Sequence, residues 1–373
     1  MLESSMVIFG TDEQRANEGA EKDQRTEREP RRSEDETLRS ACGLLDRSER
    51  GKLALTGPSA VEFLNGQITN ELADLRPGEG RYAAFLTNKG KMLGDLRVLA
   101  VGEGGAVEEL LLDTERVALQ ALFDMIRRYK VGYDVELHKR TLECSLFSLI
   151  GPAARACVTR ACGARAAGGD KADAPSAAQI DSLQSEHDHV PATVEGRQVR
   201  LIATSDGIDV LCASADYDAV QTALLEAGAS TVGEGAVEIL RVEHGRPRYG
   251  VDMDDGTIPQ EAGINERAVN FTKGCYVGQE TVARLFYRGK PNRHLRGLLI
   301  SDPPSQPVAG TELRLDERVV GHLSSIVTSP THGTIGLALV RREAGPGDAL
   351  AVGEHGVSAT VVELPFAGRD ERR

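Results

Sequence analysis

The stretch Leu55–Ala60 reads LTGPSA, and Leu149–Ala154 repeats it as LIGPAA. Each copy closes a strand pattern with glycine and then places proline at the start of an amphipathic stretch. Proline suits the first position of a helix because its φ is already fixed and the N–H that it lacks would have no helical partner. The repeated strand, glycine, proline and helix therefore predict two related α+β halves.

Strand and helix patterns alternate around the first copy. The strand patterns are KLALTG, YAAFLTN, GDLRVLAV and EELLLDT, and the helix patterns cover Pro58–Leu72 and Thr114–Tyr129. This alternation indicates a mixed α+β fold class. Beyond Arg293 the sequence contains only strand and turn patterns punctuated by glycine and proline. Such a pattern predicts a small C-terminal β-barrel.

The composition divides the chain into three expected segments. Residues 1–40 are polar and charge-mixed, which predicts a disordered N-terminal extension. Residues 41–285 hold the two α+β halves, with a mobile insertion expected at 163–196, and residues 290–368 form the barrel. His187 and His189 fall in the insertion and could hold a metal as H-x-H, but a solvated loop pair is the favoured interpretation.

Charge and cysteine usage exclude several functions. The 373 residues carry a net charge of −13, which disfavours nucleic acid and anionic membrane surfaces as partners. No apolar run is long enough to span a bilayer. The six cysteines are scattered and follow no signal-like segment, so we expect a reduced, cytoplasmic protein, and we expect a monomer.

One cysteine stands between glycines in FTKGCYVGQETVARLFYRGK, residues 271–290. No second cysteine or histidine lies within metal-ligand spacing of Cys275, so we expect no metal there. Lys273 precedes the thiol by two residues, and a helix is predicted to open at Gln279; both would lower the pKa of the thiol. Cys275 and Lys273 are therefore the candidate catalytic pair. A buried thiol beside a structural turn remains the alternative.

Charged residues flank this segment on both sides. Five cations lie within thirteen residues downstream, namely Arg284, Arg288, Lys290, Arg293 and Arg296. They could receive a ligand carboxylate or form a solvated basic hairpin. Upstream, Glu243 and Glu261 stand among glycines and prolines, where carboxylates can bind the amino group of a heterocycle or cap helices and turns.

The motif KGCYVGQE, together with RVEHGRPRYG, PQEAG, FLNGQITNEL and TNKGKMLGDL, resembles the YgfZ-type folate-binding proteins related to the glycine-cleavage T-protein. The resemblance runs from about Cys42 to the C-terminus. It implies a GcvT/YgfZ-like three-domain ring of two ferredoxin-like α+β units and a C-terminal β-barrel, with tetrahydrofolate or a derivative in a central channel. The residues expected to bind the folate are Asn65, Gln67, Asp95, Glu243, Glu261, Gln279, Arg284 and Arg288.

The resemblance also implies a function. YgfZ-like proteins are linked to the assembly or repair of iron–sulfur clusters, so the expected partners are iron–sulfur client proteins or assembly factors, served through Cys275. The chain departs from the T-protein signature where paired acids are replaced by Gly94 and Asp95, and where ATSDGIDV offers only Asp206 in place of a GYTGE-like segment. We therefore favour an accessory protein over an enzyme and leave the alternatives open, namely a folate-dependent aminomethyl or one-carbon transferase and a folate-free thiol redox protein.

Overall fold

The computed structural model describes residues 34–163, 180–301, 307–353 and 356–366. Its helices are α1 (34–40), α2 (Ala60–Asn65), α3 (Leu119–Tyr129), α4 (Ala154–Gly163), α5 (Tyr217–Glu226), α6 (Glu234–Glu243), α7 (Asn265–Ala268) and α8 (Gln279–Arg288). None of these helices has the length and apolar character that crossing a membrane requires.

The strands of the first α+β unit are β2 (Gly51–Thr56), β3 (Gly80–Leu86), β4 (Met92–Val101), β5 (Glu109–Thr114) and β6 (Glu136–Lys139). The strands of the second sheet are β1 (Gly43–Asp46), β7 (Cys144–Ile150), β8 (His189–Val194), β9 (Arg197–Thr204), β10 (Gly207–Ala213) and β11 (Ser230–Thr231). The barrel strands are β12 (Arg293–Ile300), β13 (Glu312–Leu315), β14 (Arg318–Ser329), β15 (Gly333–Arg341), β16 (Ala349–Val352) and β17 (Val357–Val362).

The first sheet is antiparallel in the order β3-β4-β5-β2-β6. The helix predicted over Pro58–Leu72 ends at Asn65, because the backbone beyond it pairs with β3 instead. There Ile68 bridges Phe85, and the Thr69 N–H donates to the Ala84 carbonyl over 3.0 Å. These bonds satisfy backbone groups that would otherwise belong to a longer helix.

The helix predicted over Thr114–Tyr129 also begins later than expected. Thr114 closes β5, and a 3₁₀ turn over Arg116–Ala118 precedes α3. The prediction of its C-terminal end at Tyr129 is confirmed.

The two α+β halves repeat the same order of elements. In the first half this order is β2, α2, the β3-β4 hairpin, β5, a 3₁₀ turn, α3 and β6. In the second half it is β7, α4, the β8-β9 hairpin, β10, a 3₁₀ turn, α5 and β11. The repeat LTGPSA/LIGPAA ends the first strand of each half, so the prediction of two related halves is confirmed.

The second sheet has a strand from outside its own half. Its order is β11-β1-β7-β10-β9-β8, and the N-terminal strand β1 lies between β7 and β11. β1 pairs antiparallel with β7 and parallel with β11. The chain thus closes the second sheet with residues that precede the first.

Two segment boundaries from the sequence are wrong. Residues 34–40 form α1, where Leu38 is buried and Arg39 bonds to Glu243 at 2.8 Å; the expected extension over residues 1–33 lies outside the described residues. The expected insertion at 163–196 is folded from residue 180 onward, and 164–179 lie outside the described residues. β8 is ordered because Ala192 and Val194 alternate into the core of the second half.

The barrel is closed in the order β12-β15-β14-β13-β16-β17. Helix α6 connects it to the α+β region: Arg241 bonds to the Asp252 carboxylate at 2.7 Å and to the Ser325 hydroxyl of β14 at 2.6 Å. The predicted mixed α+β fold with a C-terminal β-barrel is confirmed.

Candidate functional site

A cavity of about 240 Å³ lies between the two sheets and helix α6, and we name it the central cavity. Its wall is rich in ionisable side chains that are distant in sequence. They include Arg47, Arg50, Asp95, Arg97, Asp113, Glu115, Glu186, Asp206, Asp209, Arg241, Arg246, Arg248 and Arg267.

Strand alternation places these charges in the cavity. On β4, Leu96 and Val98 enter the core of the first half, whereas Asp95 and Arg97 line the opposite face. Successive side chains of a strand point to opposite faces, so alternate positions share an environment. Asp113 near the end of β5, in the first sheet, and Asp209 on β10, in the second sheet, line the same space.

Arg97 joins the two sheets by a buried ionic bridge. Its guanidinium lies 2.8 Å from Asp113 and 2.7 Å from Asp209. Arg50 contacts the other Asp113 oxygen at 2.8 Å, and the Ser148 hydroxyl donates to Asp209 over 2.6 Å. Burial opposes ionisation of Asp113, but the charges of Arg50 and Arg97 outweigh it and lower its pKa to about 2. These groups form a fixed, charged part of the wall of the central cavity.

The pKa of Asp95 is shifted in the opposite direction to that of Asp113. Burial raises the pKa of the Asp95 carboxyl to about 6, against the hydrogen bond from Tyr82 and the charge of Arg50, which lower it. The Tyr82 hydroxyl donates to this carboxylate over 2.6 Å. At neutral pH Asp95 is therefore mostly ionised and can still take a proton in mild acid. Such a carboxylate can stabilise a developing positive charge or accept a proton.

Gly94 does not remove a carboxylate from the cavity. A Cβ at this position would lie 2.5 Å from the Phe85 ring and 2.6 Å from the Ala118 Cβ, both in the core of the first half. A side chain at residue 94 would thus point away from Asp95 and the cavity. The absence of an acid at residue 94 therefore takes no carboxylate out of the cavity wall, and the expectation that the chain does not transfer a one-carbon unit stays a prediction.

His187 and His189 are buried, so the prediction of a solvated histidine pair is wrong. Burial lowers the pKa of His187 to about 4 and that of His189 to about 3. His187 lines the central cavity, and within the described structure neither of its ring nitrogens has a hydrogen-bond partner. The neutral ring can offer one donor and one acceptor to a ligand. The described residues contain no cluster of three or more metal-ligating side chains.

Lys273 stabilises a loop. Its ammonium donates to the carbonyls of Asn65, Ile68 and Asn70 over 2.8, 2.9 and 2.6 Å, and to the Asn65 side chain over 3.0 Å. Burial lowers the pKa of Lys273 to about 8. Its charge is committed to the turn that follows α2, which disagrees with a role in activating Cys275, and Asn65 belongs to the same turn.

Cys275 is exposed, whereas the other five cysteines are buried or half-buried. Helix α8 begins at Gln279 as predicted, and the Gln279 amide donates to the Gly274 carbonyl over 3.3 Å. Arg284 and Arg288 lie exposed on α8. None of these residues belongs to the wall of the central cavity, which disagrees with their expected contact to a folate there.

The remaining predicted folate contacts also lie elsewhere. Glu243 is buried at the contact between α6 and the barrel, where Arg39 and the Ser329 hydroxyl bind its carboxylate. Glu261 pairs with Arg293 at 2.8 Å. Gln67 is half-buried, and its side-chain oxygen has no hydrogen-bond partner within the described residues.

Asp95 and Asp206 are the acids singled out from the sequence that do reach the cavity. Asp206 lies 3.1 Å from His244 and accepts a bond from Ser205. Sequence reasoning missed Arg97, Asp113 and Asp209. A signal was present, because each is a charged residue inside an otherwise apolar strand, in GDLRVLAV, ELLLDT and GIDVLCA. Buried charges in strands are unusual unless they are paired.

The fold and the cavity define a class: two related α+β units and a closed β-barrel, with ionisable groups around an internal cavity. Residues 13–273 match the GCVT N-terminal domain, and residues 293–367 match the glycine cleavage T-protein C-terminal barrel domain. The chain therefore belongs to the glycine cleavage T-protein family.

Similar proteins extend along most of the chain. The aminomethyltransferase of Rubrobacter xylanophilus is 29% identical over 346 residues, 91% of this chain and 86% of that protein. The aminomethyltransferase of Geobacillus kaustophilus is 28% identical over 346 residues, 91% of this chain and 90% of that protein. The crystal structure of glycine cleavage system aminomethyltransferase T from Bartonella henselae matches the fold with a TM-score of 0.76 at 23% identity, covering 90% and 89% of the two chains. The resemblance is confirmed for the T-protein family, and the narrower YgfZ assignment stays a prediction.

Proposed function

We propose that this protein binds a reduced folate in the central cavity and transfers a one-carbon unit, with Asp95 as the carboxylate beside the reacting nitrogen. The observation that carries the proposal is the Asp95 carboxylate itself, which faces the cavity, is held by Tyr82 and has a pKa of about 6. Relatives that match nine-tenths of the chain are named aminomethyltransferases, which favours this chemistry over cluster repair.

For this chemistry the protein mainly has to position the reactants and to supply a charge that stabilises the reacting nitrogen. In aminomethyl transfer, the carbon of an aminomethylated carrier becomes the bridge between N5 and N10 of tetrahydrofolate, the amine leaves as ammonia and the carrier regains a proton. Nitrogen atoms become cationic along this path. A carboxylate fixed in a desolvated site stabilises such a charge without reorganising, which is a large contribution to catalysis.

The cavity also offers groups that orient a heterocycle. Asp113 and Asp209 are already bound by Arg50, Arg97 and Ser148, so they serve mainly as structure. His187 has neither ring nitrogen engaged within the described structure, and it lies against the same cavity as Asp95. A folate ring, which carries donors and acceptors on its edge, can bond to one of these nitrogens.

The test combines binding and turnover. Titration calorimetry with tetrahydrofolate measures affinity, and formation of methylenetetrahydrofolate from an aminomethylated carrier measures transfer. Asp95→Asn keeps the shape and a hydrogen bond from Tyr82 but removes the charge, so we expect folate still to bind and the rate to fall roughly a hundred- to a thousand-fold.

The matched control is the exposed pair Arg284→Ala and Arg288→Ala on α8, for which we expect a wild-type rate. Absence of tetrahydrofolate binding, or transfer that survives in Asp95→Asn at the wild-type rate, would sink the proposal. His187→Phe tests the orienting role, and we expect weaker folate binding from it.

A second candidate function is the accessory role in iron–sulfur cluster maintenance through Cys275. The observation that favours it is the exposure of this thiol on the KGCYVGQE loop, in contrast to the buried or half-buried state of the other cysteines. An exposed thiol can exchange with or ligate a partner, which a buried thiol cannot. In a deletion strain, failure of Cys275→Ser to restore cluster-dependent enzymes, while Asp95→Asn restores them, would favour this role over transfer.

A further inference from the structure

Two cysteines that are distant in the sequence, Cys42 just before β1 and Cys157 on α4, meet in the core of the second half. The backbone brings them together, because the Ala153 N–H donates to the Ala41 carbonyl over 3.0 Å and so fastens the start of α4 to the residue before Cys42. Cys157 lies one helical turn after Ala153 and donates its N–H to the Ala153 carbonyl. A hydrogen bond joins the two thiols, and both are buried.

The pair lies close to the protein surface. The Cys157 thiol donates to the Leu224 carbonyl over 3.5 Å, in the helix that packs beside α4. Arg160, whose side chain is exposed, donates to the Ala227 carbonyl over 2.8 Å and also contacts the Cys157 thiol. On this side, one exposed side chain therefore separates Cys157 from solvent.

The two thiols differ in their acidity. The hydrogen bond from Cys42 lowers the pKa of the Cys157 thiol to about 7, and the charge of Arg160 acts in the same direction, against burial. The same hydrogen bond, together with burial, raises the pKa of Cys42. At neutral pH Cys157 is therefore partly a thiolate and Cys42 is a neutral thiol. A thiolate with a second thiol beside it is the arrangement that oxidation converts into a disulfide.

We propose that Cys42 and Cys157 form an oxidation site, whose co-reactant is hydrogen peroxide and whose product is a disulfide between the start of β1 and α4. This site is independent of the proposed function, because neither cysteine belongs to the described wall of the central cavity. A protein partner cannot reach the buried pair. Hydrogen peroxide is little larger than water and requires only that the Arg160 side chain move aside.

The reaction removes two electrons from the two thiols. The Cys157 thiolate attacks one oxygen of the peroxide, the O–O bond breaks, and Cys157 becomes a sulfenic acid. The departing hydroxide takes up the proton that the Cys157 thiol had released and leaves as water. The Cys42 sulfur then attacks the Cys157 sulfur and expels hydroxide, which takes the Cys42 proton. One peroxide and two thiols thus give one disulfide and two water molecules.

A disulfide at this place changes how β1 is held. The strand has four residues, and two of them, Gly43 and Leu44, pair with β11. A covalent bond from Cys42 to Cys157 closes a loop that contains the whole first α+β unit. Closing a long loop restricts the unfolded chain, so the oxidised protein should melt roughly 5–10 °C above the reduced protein.

The experiment uses the full chain with Cys275→Ser, so that the exposed thiol does not react. The folded protein is treated with hydrogen peroxide, the remaining thiols are alkylated, and the protein is digested without reduction for mass spectrometry. We expect a cross-linked peptide that contains Cys42 and Cys157 and is lighter than its two reduced parts by two hydrogen atoms. The melting temperature should rise with the cross-link, and dithiothreitol should reverse both changes.

Variants in the same background assign the two roles. In Cys42→Ser, oxidation should stop at a sulfenic acid on Cys157, which dimedone traps, whereas in Cys157→Ser the Cys42 thiol should stay reduced. The matched control is Cys162→Ser on the same helix, where burial raises the pKa of the native thiol to about 11. This control should leave the cross-link unchanged. Circular dichroism verifies that each variant folds, and the peptide map of the parent protein needs none of them.

Several results would overturn the proposal. In the parent protein, these are recovery of Cys42 and Cys157 as free thiols after peroxide treatment, or a cross-link from Cys157 to Cys162 instead. A cross-link that forms only in urea would also overturn it, because the folded pair would then be closed to peroxide. A cross-link in the folded protein with no rise in melting temperature would support the oxidation site and overturn its effect on β1.

Discussion

The central cavity and the segment over residues 271–290 are both rich in charged residues, but these residues are brought together in different ways. In the segment, cations are close neighbours in sequence, yet Arg284 and Arg288 lie exposed on α8. In the cavity, Arg50 precedes β2, Arg97 lies on β4 and Asp113 lies on β5, yet both guanidinium groups lie 2.8 Å from the Asp113 carboxylate. Charged residues that are close together in the sequence thus form a solvated surface in this protein. Charged residues that are close together in space form the candidate site.

The physical reason is desolvation. Exposed charges are screened by water, and their pairs stabilise a fold by about 0–1 kcal/mol. Charges within the sheets cannot rely on water, so each needs partners of opposite sign. Function that depends on electrostatics is therefore expected in the cavity, and the following measurements would break or sharpen this contrast.

The largest effect is expected at Arg97. Replacing it with methionine leaves Asp113 and Asp209 as buried carboxylates without their shared cation. Removing one partner of a buried ionic network costs about 3–5 kcal/mol, which urea denaturation followed by circular dichroism would record. Arg314→Met, which removes the exposed pair with Glu312, is the control, with an expected loss below about 1 kcal/mol. Equal losses in the two variants would abolish the contrast between cavity and surface.

Lys273 is the exception within the segment over residues 271–290, because its charge is committed to hydrogen bonds inside the protein. Its replacement tests this role. Lys273→Met keeps the length of the side chain but leaves the carbonyls of Asn65, Ile68 and Asn70 without their donor. Hydrogen bonds to a charged group contribute about 1.5–3 kcal/mol, so we expect a loss of that order in the free energy of unfolding. A variant as stable as the wild type, but with altered Cys275 reactivity towards a thiol reagent, would restore Lys273 to the activating role predicted from the sequence.

The pH dependence of transfer sharpens the assignment of Asp95. In the proposed transfer the working form of Asp95 is the carboxylate, so the rate should fall as the pH drops through about 6, approaching tenfold per pH unit below it. Burial raises the pKa of Asp95 most, the hydrogen bond from Tyr82 and the charge of Arg50 lower it, and the charge of Glu115 raises it. Tyr82→Phe deletes the hydrogen bond that lowers the pKa, so the midpoint should move upward.

A pH dependence that differs from this expectation would show that a group other than Asp95 titrates. The pKa of His187, lowered to about 4 by burial, places its protonation below the expected midpoint. A midpoint that Tyr82→Phe does not move, or that persists in residual activity of Asp95→Asn, would show that another group controls the rate.

The smallest effect is expected at Cys275. Because the side chain is exposed, Cys275→Ser should change the free energy of unfolding by less than about 0.5 kcal/mol and leave folate affinity intact. Paired urea and calorimetric titrations measure both quantities. A strongly destabilised Cys275→Ser variant would instead return this residue to a packing role.

The fold was largely predictable from the sequence, because hydrophobic periodicity and the repeated LTGPSA/LIGPAA turns are local signals. The helix boundary at Asn65 was not, since it depends on pairing of Ile68 with Phe85, a contact across the chain. Of the acids in the cavity wall, the sequence singled out Asp95 and Asp206. The bridge from Arg97 to Asp113 and Asp209 depends on which strands become neighbours, and no local pattern specifies that.

Strand β1 carries a consequence for how the protein is made. It leaves the ribosome before the strands β2–β17, but its antiparallel partner β7 is synthesised only after the whole first α+β unit, and its parallel partner β11 later still. Until then its apolar residues, among them Leu44 and Leu45, have no sheet to join. An unpaired strand of this kind invites aggregation, so the nascent chain would gain from a chaperone that holds it. For the same reason, a gene cut between the two halves would encode a second half without one of its inner strands.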